Sequence, residues 1–539
     1  MPVLRPNVPP PPNYYADNLL RLLMTVSRQY SDILQDRERN YLLRVSSLST
    51  DAQRVYARLL TRKSSLIRVD SLTYREVADL EPALAELETA SLVQRRPPVP
   101  ADRVLTLLTR LELDALFPRV RRRGERKEKQ VAFIAARYPD PRIRDIVDAS
   151  FPMCVALGLD VIATLQILFF GDARTDLRTF VLVDLGMLQF ERYELDPRHR
   201  QFADRAELDD YLSMQTLKDR LRALEMCWQH DAAVELLDTL WHVRERRVLE
   251  RVRSGLVNQL GRSAERARDY EIAIDAYARS TRAPGRERRT RLLRRLDDTA
   301  AANAMLDTIE RAPLCAGERY FAQQFRTGQR GRRHTIPERV LRLPGPPQAN
   351  VEAAALAALT CTGGAGRHVE NLLPLGMLGL AFWDVVFAPI EAAFVNPYQD
   401  RPADLYWHDF RRARSHLIES RLDALRQPDA LAQAICATAR DKRGICSALV
   451  DWRVIDTQLI AWATSAVTSR TWTTVFDYML DDIEQTRTGF PDLAVFLGPG
   501  LYQFVEVKGP GDQLRREQRL WFELFAKADV PAFVLHVEW

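Results

Sequence analysis

Through most of the first two thirds of the chain, apolar residues recur at three- and four-residue spacing, the period of a helix with one buried face. Leu19-Leu20 with Leu22-Leu23, then Leu42-Leu43, then Val55-Tyr56 with Leu59-Leu60 predict a helical stretch from Tyr14 to about Val93. Within it, Tyr74 to Leu92 reads as a small module with Leu80, Leu84 and Leu87 facing inward. The run Arg95-Arg-Pro-Pro-Val-Pro100 is a linker. Two short helices follow, over Val104–Leu113 and from Lys129 to Ile134, with a basic connection between them. From about 140 to 340 the helical period returns. The stretch Leu256–Gly261, with Ala267, Tyr270, Ala273, Ala276 and Tyr277, has the small and aromatic spacing of paired helices, without a clean tandem period. Near the end the pattern changes. Asp492–Leu497 and Leu501–Lys508 are apolar and rich in β-branched and aromatic residues, and Gly498-Pro499-Gly500 between them reads as a hairpin tip. Ala532–Glu538 is a last strand. The expected fold is multidomain: mostly α-helical at first, then an α/β C-terminal domain with a mixed sheet flanked by helices. The divisions fall at 1–95, 102–200, 201–340 and 350–539, with a Pro-rich lead-in over 335–355.

A length of 539 residues fits several domains with ample core. The net charge of +5 is too modest to specify a nucleic-acid partner by itself. Patches say more: Arg119–Lys129, Arg286–Arg295 and Arg326–Arg333 are basic runs that suit solvated faces or phosphate contacts. The six cysteines are scattered without a Cys-x-x-Cys pair, which argues against a zinc module or a disulfide framework and for reduced thiols in a cytoplasmic protein. The longest apolar stretches, Val155–Phe170 and Leu372–Phe387, are interrupted by Asp160 and Gln166 and by Pro374 and Asp384. Both therefore read as core helices, and no membrane partner is expected. The Pro-rich N-terminus does not read as a signal peptide.

Chemistry concentrates at Pro491-Asp492 and Glu506-Val507-Lys508. A hairpin centred on Pro499 puts Asp492 opposite Glu506, where cross-strand Cβ atoms lie roughly 5 Å apart. Alternation puts Glu506 and Lys508 on one face and turns Val507 away. Hard oxygen ligands suit Mg²⁺ or Mn²⁺, and a neighbouring lysine can orient water or neutralise developing charge. Two adjacent carboxylates repel unless a cation lies between them. An exposed Glu-x-Lys is a common surface decoration. Three features set this one apart. Only seven of the 77 basic residues are lysine; Gly509-Pro-Gly-Asp512 stops the strand; and a helix over Gln513–Trp521 brings Gln518 back toward it.

The segments Gly489-Phe-Pro-Asp492-Leu, Val505-Glu-Val-Lys-Gly-Pro-Gly-Asp512 and Gln518-Arg-Leu-Trp521 resemble the VRR-type nuclease domain, a branch of the PD-(D/E)XK nucleases. Upstream lie Gly366-Arg-His368-Val-Glu370-Asn371, Phe382-Trp-Asp384-Val-Val-Phe387, Phe394-Val-Asn-Pro-Tyr-Gln399 and Pro402-Ala-Asp404-Leu405. Together these resemble the Fanconi-associated nuclease family in its bacterial form. The resemblance implies a third carboxylate, Glu370, at the start of a helix. It implies that Glu370, Asp492, Glu506 and the carbonyl of Val507 hold one or two Mg²⁺ or Mn²⁺ ions, with Lys508 as the catalytic lysine. Gln518 completes the catalytic set by orienting Lys508 or the scissile phosphate, and His368 is structural or substrate-facing. Relatives place a basic residue after the position of Asp512; here it is Gln513, and Arg515 and Arg516 supply the charge. Residues 74–92 look like a winged-helix-type module. Residues 102–136 resemble a SAP-type helix-loop-helix, in which Arg121, Arg122, Arg123, Lys127 and Lys129 would grip phosphates, and 256–277 is similar to a tetratricopeptide helix pair.

The activity so implied is structure-selective DNA cleavage, endonucleolytic at a 5′ flap or exonucleolytic from a 5′ end, in repair of crosslinked DNA. The partner would be branched duplex read by shape and phosphates, in a bacterial cytoplasm at the nucleoid. A junction-resolving or restriction-type nuclease is a second reading, against which the long helical part counts. A non-catalytic DNA-binding scaffold is a third, against which the complete carboxylate and lysine set counts.

Overall fold

The computed structural model describes residues 13–62, 64–120, 126–172, 188–241, 246–327, 335–347, 350–361, 363–427 and 429–539. The chain divides into two compact units, with the boundary between Gly186 and Met187.

In the first unit, helices Tyr14–Tyr30, Asp36–Ser46 and Thr50–Leu60 are amphipathic, with Leu19, Leu22, Val45, Val55 and Tyr56 buried, as the spacing predicts. Helix Leu80–Thr89 starts at an Asp79 cap and buries Leu84 and Leu87, while Leu80 is half-buried. Three short strands, β1 (Leu66–Arg68), β2 (Val93–Arg95) and β3 (Met153–Ala156), form an antiparallel sheet with β3 in the middle. This corrects two expectations. The first four residues of the apolar stretch around Val155 belong to strand β3 or the turn after it, and only Leu159–Phe170 is helix. The module over 1–95 is completed by this later strand, so the SAP-like helices are an insertion between β2 and β3. Those helices are Ala101–Leu107, Arg110–Leu116, Lys127–Arg137 and Asp140–Ser150. They close over a core of Val104, Leu105, Leu113, Phe117, Ile134, Ile143 and Val147 that continues into Leu66 of β1 and Met153 of β3. The stretch expected as one helix, Val104–Leu113, breaks at Leu108 because Thr109 and Glu112 form a capping box.

The second unit holds helices Arg205–Met226, His230–Trp241, Arg247–Ala267, Tyr270–Ala278, Gly285–Arg295, Thr299–Arg311 and Ala316–Thr327, each packed on the next. The predicted small-on-aromatic contact is present: a Cβ on Gly261 would lie 2.7 Å from the Tyr277 ring. The C-terminal domain is built on a mixed five-stranded sheet of β4 (Glu338–Arg342), β5 (Ala365–His368), β6 (Leu493–Gly498), β7 (Leu501–Lys508) and β8 (Ala532–Glu538), in the order β4-β8-β7-β6-β5. β5, β6 and β7 pair antiparallel, and β8 runs parallel to both β7 and β4. β4 lies in the Pro-rich lead-in, so the sheet begins before residue 350. Leu493, Val505, Val507, Phe533 and Leu535 face helix Val351–Thr360. Ala494, Phe496, Phe504 and Val534 face the opposite way, into a larger core with Trp521, Phe522 and Phe525 of helix Arg516–Lys527. Segment 188–199 also belongs to this domain rather than to the SAP-like region. Glu191 accepts from the Trp383 indole at 2.6 Å and pairs with Lys442 at 2.7 Å, and the Tyr193 hydroxyl donates to the Asn396 carbonyl at 2.7 Å.

Candidate active site

The β6–β7 pairing sets the site. Leu493 lies opposite Val505 and Ala494 opposite Phe504; one step further, the same register puts Asp492 against Glu506, as the hairpin pattern predicts. The Val507 N–H donates to Asp492 Oδ2 at 2.8 Å and ties the two strands at this point. Glu506 and Lys508 are both buried and share the face of Phe504. Lys508 Nζ lies 2.7 Å from Glu506 Oε1.

The flanking loops hold this pair in place. At the end of β5, the N–H groups of Val369 and Glu370 both donate to the Asp492 carbonyl, at 2.8 and 3.0 Å. Glu370 sits in that turn with φ at 43°, left-handed backbone that non-glycine residues adopt at a cost of about 1 kcal/mol. It therefore precedes the helix Leu372–Ala381 rather than lying in it. Asn371 Oδ1 accepts the Phe490 N–H at 3.1 Å, which anchors the approach to Asp492. Gly489, at φ 91°, is forced: a Cβ there would lie 2.7 Å from the Glu517 backbone, so the loop seats directly on the start of helix Arg516–Lys527. From that helix Gln518 donates to Glu506 Oε1, and its own Oε1 accepts the Arg515 N–H at 2.9 Å. Gln518 thus orients Glu506: it and Lys508 converge on one carboxylate oxygen.

The other oxygen, Glu506 Oε2, is buried with no hydrogen-bond partner among the described residues. Burial first, and then the charges of Asp492 and Glu370, push Glu506 up to about 7 against the pull of Lys508. Asp492 is also raised, chiefly by burial and further by Glu352 and Glu370, against the Val507 N–H and Lys508. Glu352, in the first turn of helix Val351–Thr360, was not singled out from the sequence; a glutamate opening a helix is too ordinary to signal itself. Among the described residues no three His, Cys, Asp or Glu side chains gather into a ready-made metal cage. Glu370 acts on the pair through its charge while standing back from it, as like charges do. An orphaned buried carboxylate oxygen beside a second carboxylate is a donor set that a hard divalent cation would complete.

The expected DNA contacts fare unevenly. Arg121, Arg122 and Arg123 lie outside the described residues. Lys127 donates to the Thr106 carbonyl at 2.7 Å at a helix end, while Lys129 is exposed on the same helix. Arg515 is exposed at the cap of the Gln518 helix. Arg516 is engaged within the chain: its guanidinium reaches the Gly317 carbonyl at 2.5 Å and Glu287 at 3.3 Å. Three of the six arginines in the run Arg286–Arg295 are likewise ion-paired internally, Arg286 with Glu318, Arg288 with Glu265 and Arg291 with Glu287. His368 is exposed at the end of β5. No helix among the described residues is long and apolar enough to cross a membrane.

Residues 427–539 match the family model of the VRR-NUC domain, and residues 13–94 match that of the FAN1 HTH domain. A Fanconi-associated nuclease 1 homolog of Pseudomonas aeruginosa is 30% identical over 100% of this chain and 98% of its own length. Human Fanconi-associated nuclease 1 is 24% identical over 97% of this chain, which spans 62% of the human protein. A crystal structure of paFAN1 bound to 5′-flap DNA with a 2-nucleotide flap and a gap superposes with a TM-score of 0.85 and 29% identity, over 99% of both chains. A second, with a 1-nucleotide flap, gives 0.82. With this fold, these matches and a carboxylate pair beside a buried lysine, the chain belongs to the Fanconi-associated nuclease family and is a structure-specific DNA nuclease of the VRR-NUC type.

Proposed function

We propose that this chain cuts DNA near a 5′ flap and degrades it from a free 5′ end, using Mg²⁺ or Mn²⁺, in repair of crosslinked duplex. The observation that carries this reading is the Asp492–Glu506 pair held next to Lys508, with Glu506 Oε2 lacking a partner among the described residues. Two solved relatives bound to 5′-flap DNA support the substrate class.

Glu370, Asp492, Glu506 and the Val507 carbonyl would hold the metal. The bound cation supplies Lewis-acid polarisation of the phosphate and lowers the pKa of water. Lys508 is positioned by Glu506 Oε1 to neutralise charge that develops on the phosphate. Gln518 prevents Glu506 from rotating away and keeps Oε2 presented. Glu506 and Lys508, being buried, act with little solvent screening. The exposed Lys129 and Arg515 are proposed as phosphate contacts, with Arg121, Arg122 and Arg123.

The test is cleavage of a labelled 5′-flap duplex with Mn²⁺, Mg²⁺ or EDTA, by the native chain and Asp492→Ala side by side. Metal-dependent cuts near the junction, reduced at least about a thousandfold in the variant, are expected. Paired nicks confined to four-way junctions would instead establish a resolvase. Equal flap binding without any cutting would establish a scaffold.

A further inference from the structure

We infer that Arg516 is a positioning residue through which the helical region holds the catalytic carboxylate, rather than a DNA contact. This rests on the proposed metal-dependent cleavage. Arg516 opens the helix Arg516–Lys527. Its guanidinium leaves the sheet domain and bonds the Gly317 carbonyl at 2.5 Å, at the start of helix Ala316–Thr327, and Glu287 Oε2 at 3.3 Å, on helix Gly285–Arg295. The fit is close: a Cβ on Gly317 would lie 3.3 Å from an Arg516 terminal nitrogen. Glu287 is held in turn by Arg291 at 3.0 Å and is only 13% exposed.

Two residues further on, Gln518 donates to Glu506 Oε1. The Arg515 N–H, next to Arg516, clamps Gln518 Oε1 at 2.9 Å. A continuous path therefore runs from Glu287 and Gly317, through Arg516 and the first turn of the helix, to Gln518 and Glu506. Shift that turn by a fraction of an ångström and Gln518 no longer pins Glu506 Oε1, so Oε2 is no longer presented. Groups that orient metal ligands in this way typically change metal affinity by roughly ten- to a hundredfold. Arg516 is 39% exposed and its ion pair correspondingly weak, so about three- to tenfold is expected here.

The experiment uses the full chain with Arg516→Ala, Glu287→Gln and the double variant. Mn²⁺ binding is read by electron paramagnetic resonance without DNA, flap affinity by fluorescence anisotropy in EDTA, and kcat at saturating flap. The expected result is Mn²⁺ binding weakened about three- to tenfold in both single variants and no further in the double, with flap affinity unchanged. Added Mn²⁺ should restore kcat. Because Glu287 lies on another element, the same signature from it excludes simple misfolding of the Arg516 helix. Weakened flap binding with a reduced salt slope in Arg516→Ala, and native Mn²⁺ affinity, would overturn the inference and make Arg516 a phosphate contact; native behaviour in all assays would overturn it too. Mn²⁺ binding is measured apart from cleavage, so the two failures differ: a native chain that binds Mn²⁺ but does not cut flaps would refute the functional reading, whereas a native chain that cuts, with variants that bind Mn²⁺ as it does, would refute this one.

Discussion

Two buried charge clusters in the C-terminal domain differ in one respect. In the cluster around Arg414 each charge is answered by an opposite one. Arg414 and Asp404 are both fully buried and meet through two bonds of 2.6 and 3.0 Å, and Arg414 Nε donates to the Val385 carbonyl. Arg247, from the helical region, adds bonds of 2.7 Å to Asp404 and to Asp409. Burial works against ionisation of Asp409, yet Arg247 holds it below the usual carboxylate range. Around Glu506 the charges do not balance: two carboxylates share one lysine, one oxygen has no partner among the described residues, and both acids are pushed up. A satisfied cluster of opposite charges locks helices together. An under-neutralised cluster stores a cost that a cation would relieve. The first kind reads as architecture and the second as chemistry.

Removing one partner from the satisfied cluster should produce the largest effect on stability. Arg414→Met leaves Asp404 buried with only Arg247 for compensation, and denaturant unfolding should show a loss of about 3 kcal/mol or more. The under-neutralised cluster should respond in the opposite sense. In EDTA, Glu506→Gln removes a charge that the fold disfavours. The sign follows from linkage: a folded pKa of about 7 against an ordinary value of 4.5 means the folded state holds the proton more tightly. The native chain is therefore relatively stable at low pH and loses that advantage as pH rises from about 4.5 through about 7. Glu506→Gln should match the native chain at pH 5 and exceed it by roughly 2–3 kcal/mol at pH 8. Mn²⁺ at pH 8 should close the gap by stabilising only the native chain. A variant less stable than native at pH 8 in EDTA would show that the Lys508 pair outweighs the repulsion.

How much of this could be read beforehand follows the range of each interaction. The hairpin is local: two strands and a turn within seventeen residues set the Asp492–Glu506 register, so the pattern alone located it. Strand β4 escaped because it is an exposed edge strand, Glu338-Arg-Val-Leu-Arg342, whose outward side chains show no two-residue alternation. The end of strand β3 reads as helix because a short, mostly buried strand and a buried helix segment present the same apolar run. The arginines were the hardest to place. Arg516 and Arg286 look like free cations in sequence, and their carboxylate partners, Glu287 and Glu318, lie 229 and 32 residues away. Charge runs reveal their sign but not what the fold spends them on.

The smallest effect separates the two jobs of Gln518. Its Oε1 caps the helix by accepting the Arg515 N–H, and its Nε2 donates to Glu506. Gln518→Ala loses both, and should cost about 0.5–1 kcal/mol of stability from the cap together with a several-fold fall in kcat. Gln518→Glu keeps an acceptor for Arg515 but turns a donor into a third negative charge against Glu506. If Gln518 matters mainly as a cap, Gln518→Glu should cut flap DNA nearly as well as native. If it matters because it steadies Glu506, Gln518→Glu should be the more stable variant at pH 5, where Glu506 is protonated, and the poorer nuclease at pH 8, below even Gln518→Ala. The geometry favours the second outcome, since the amide nitrogen and Lys508 share the one oxygen of Glu506 that is satisfied.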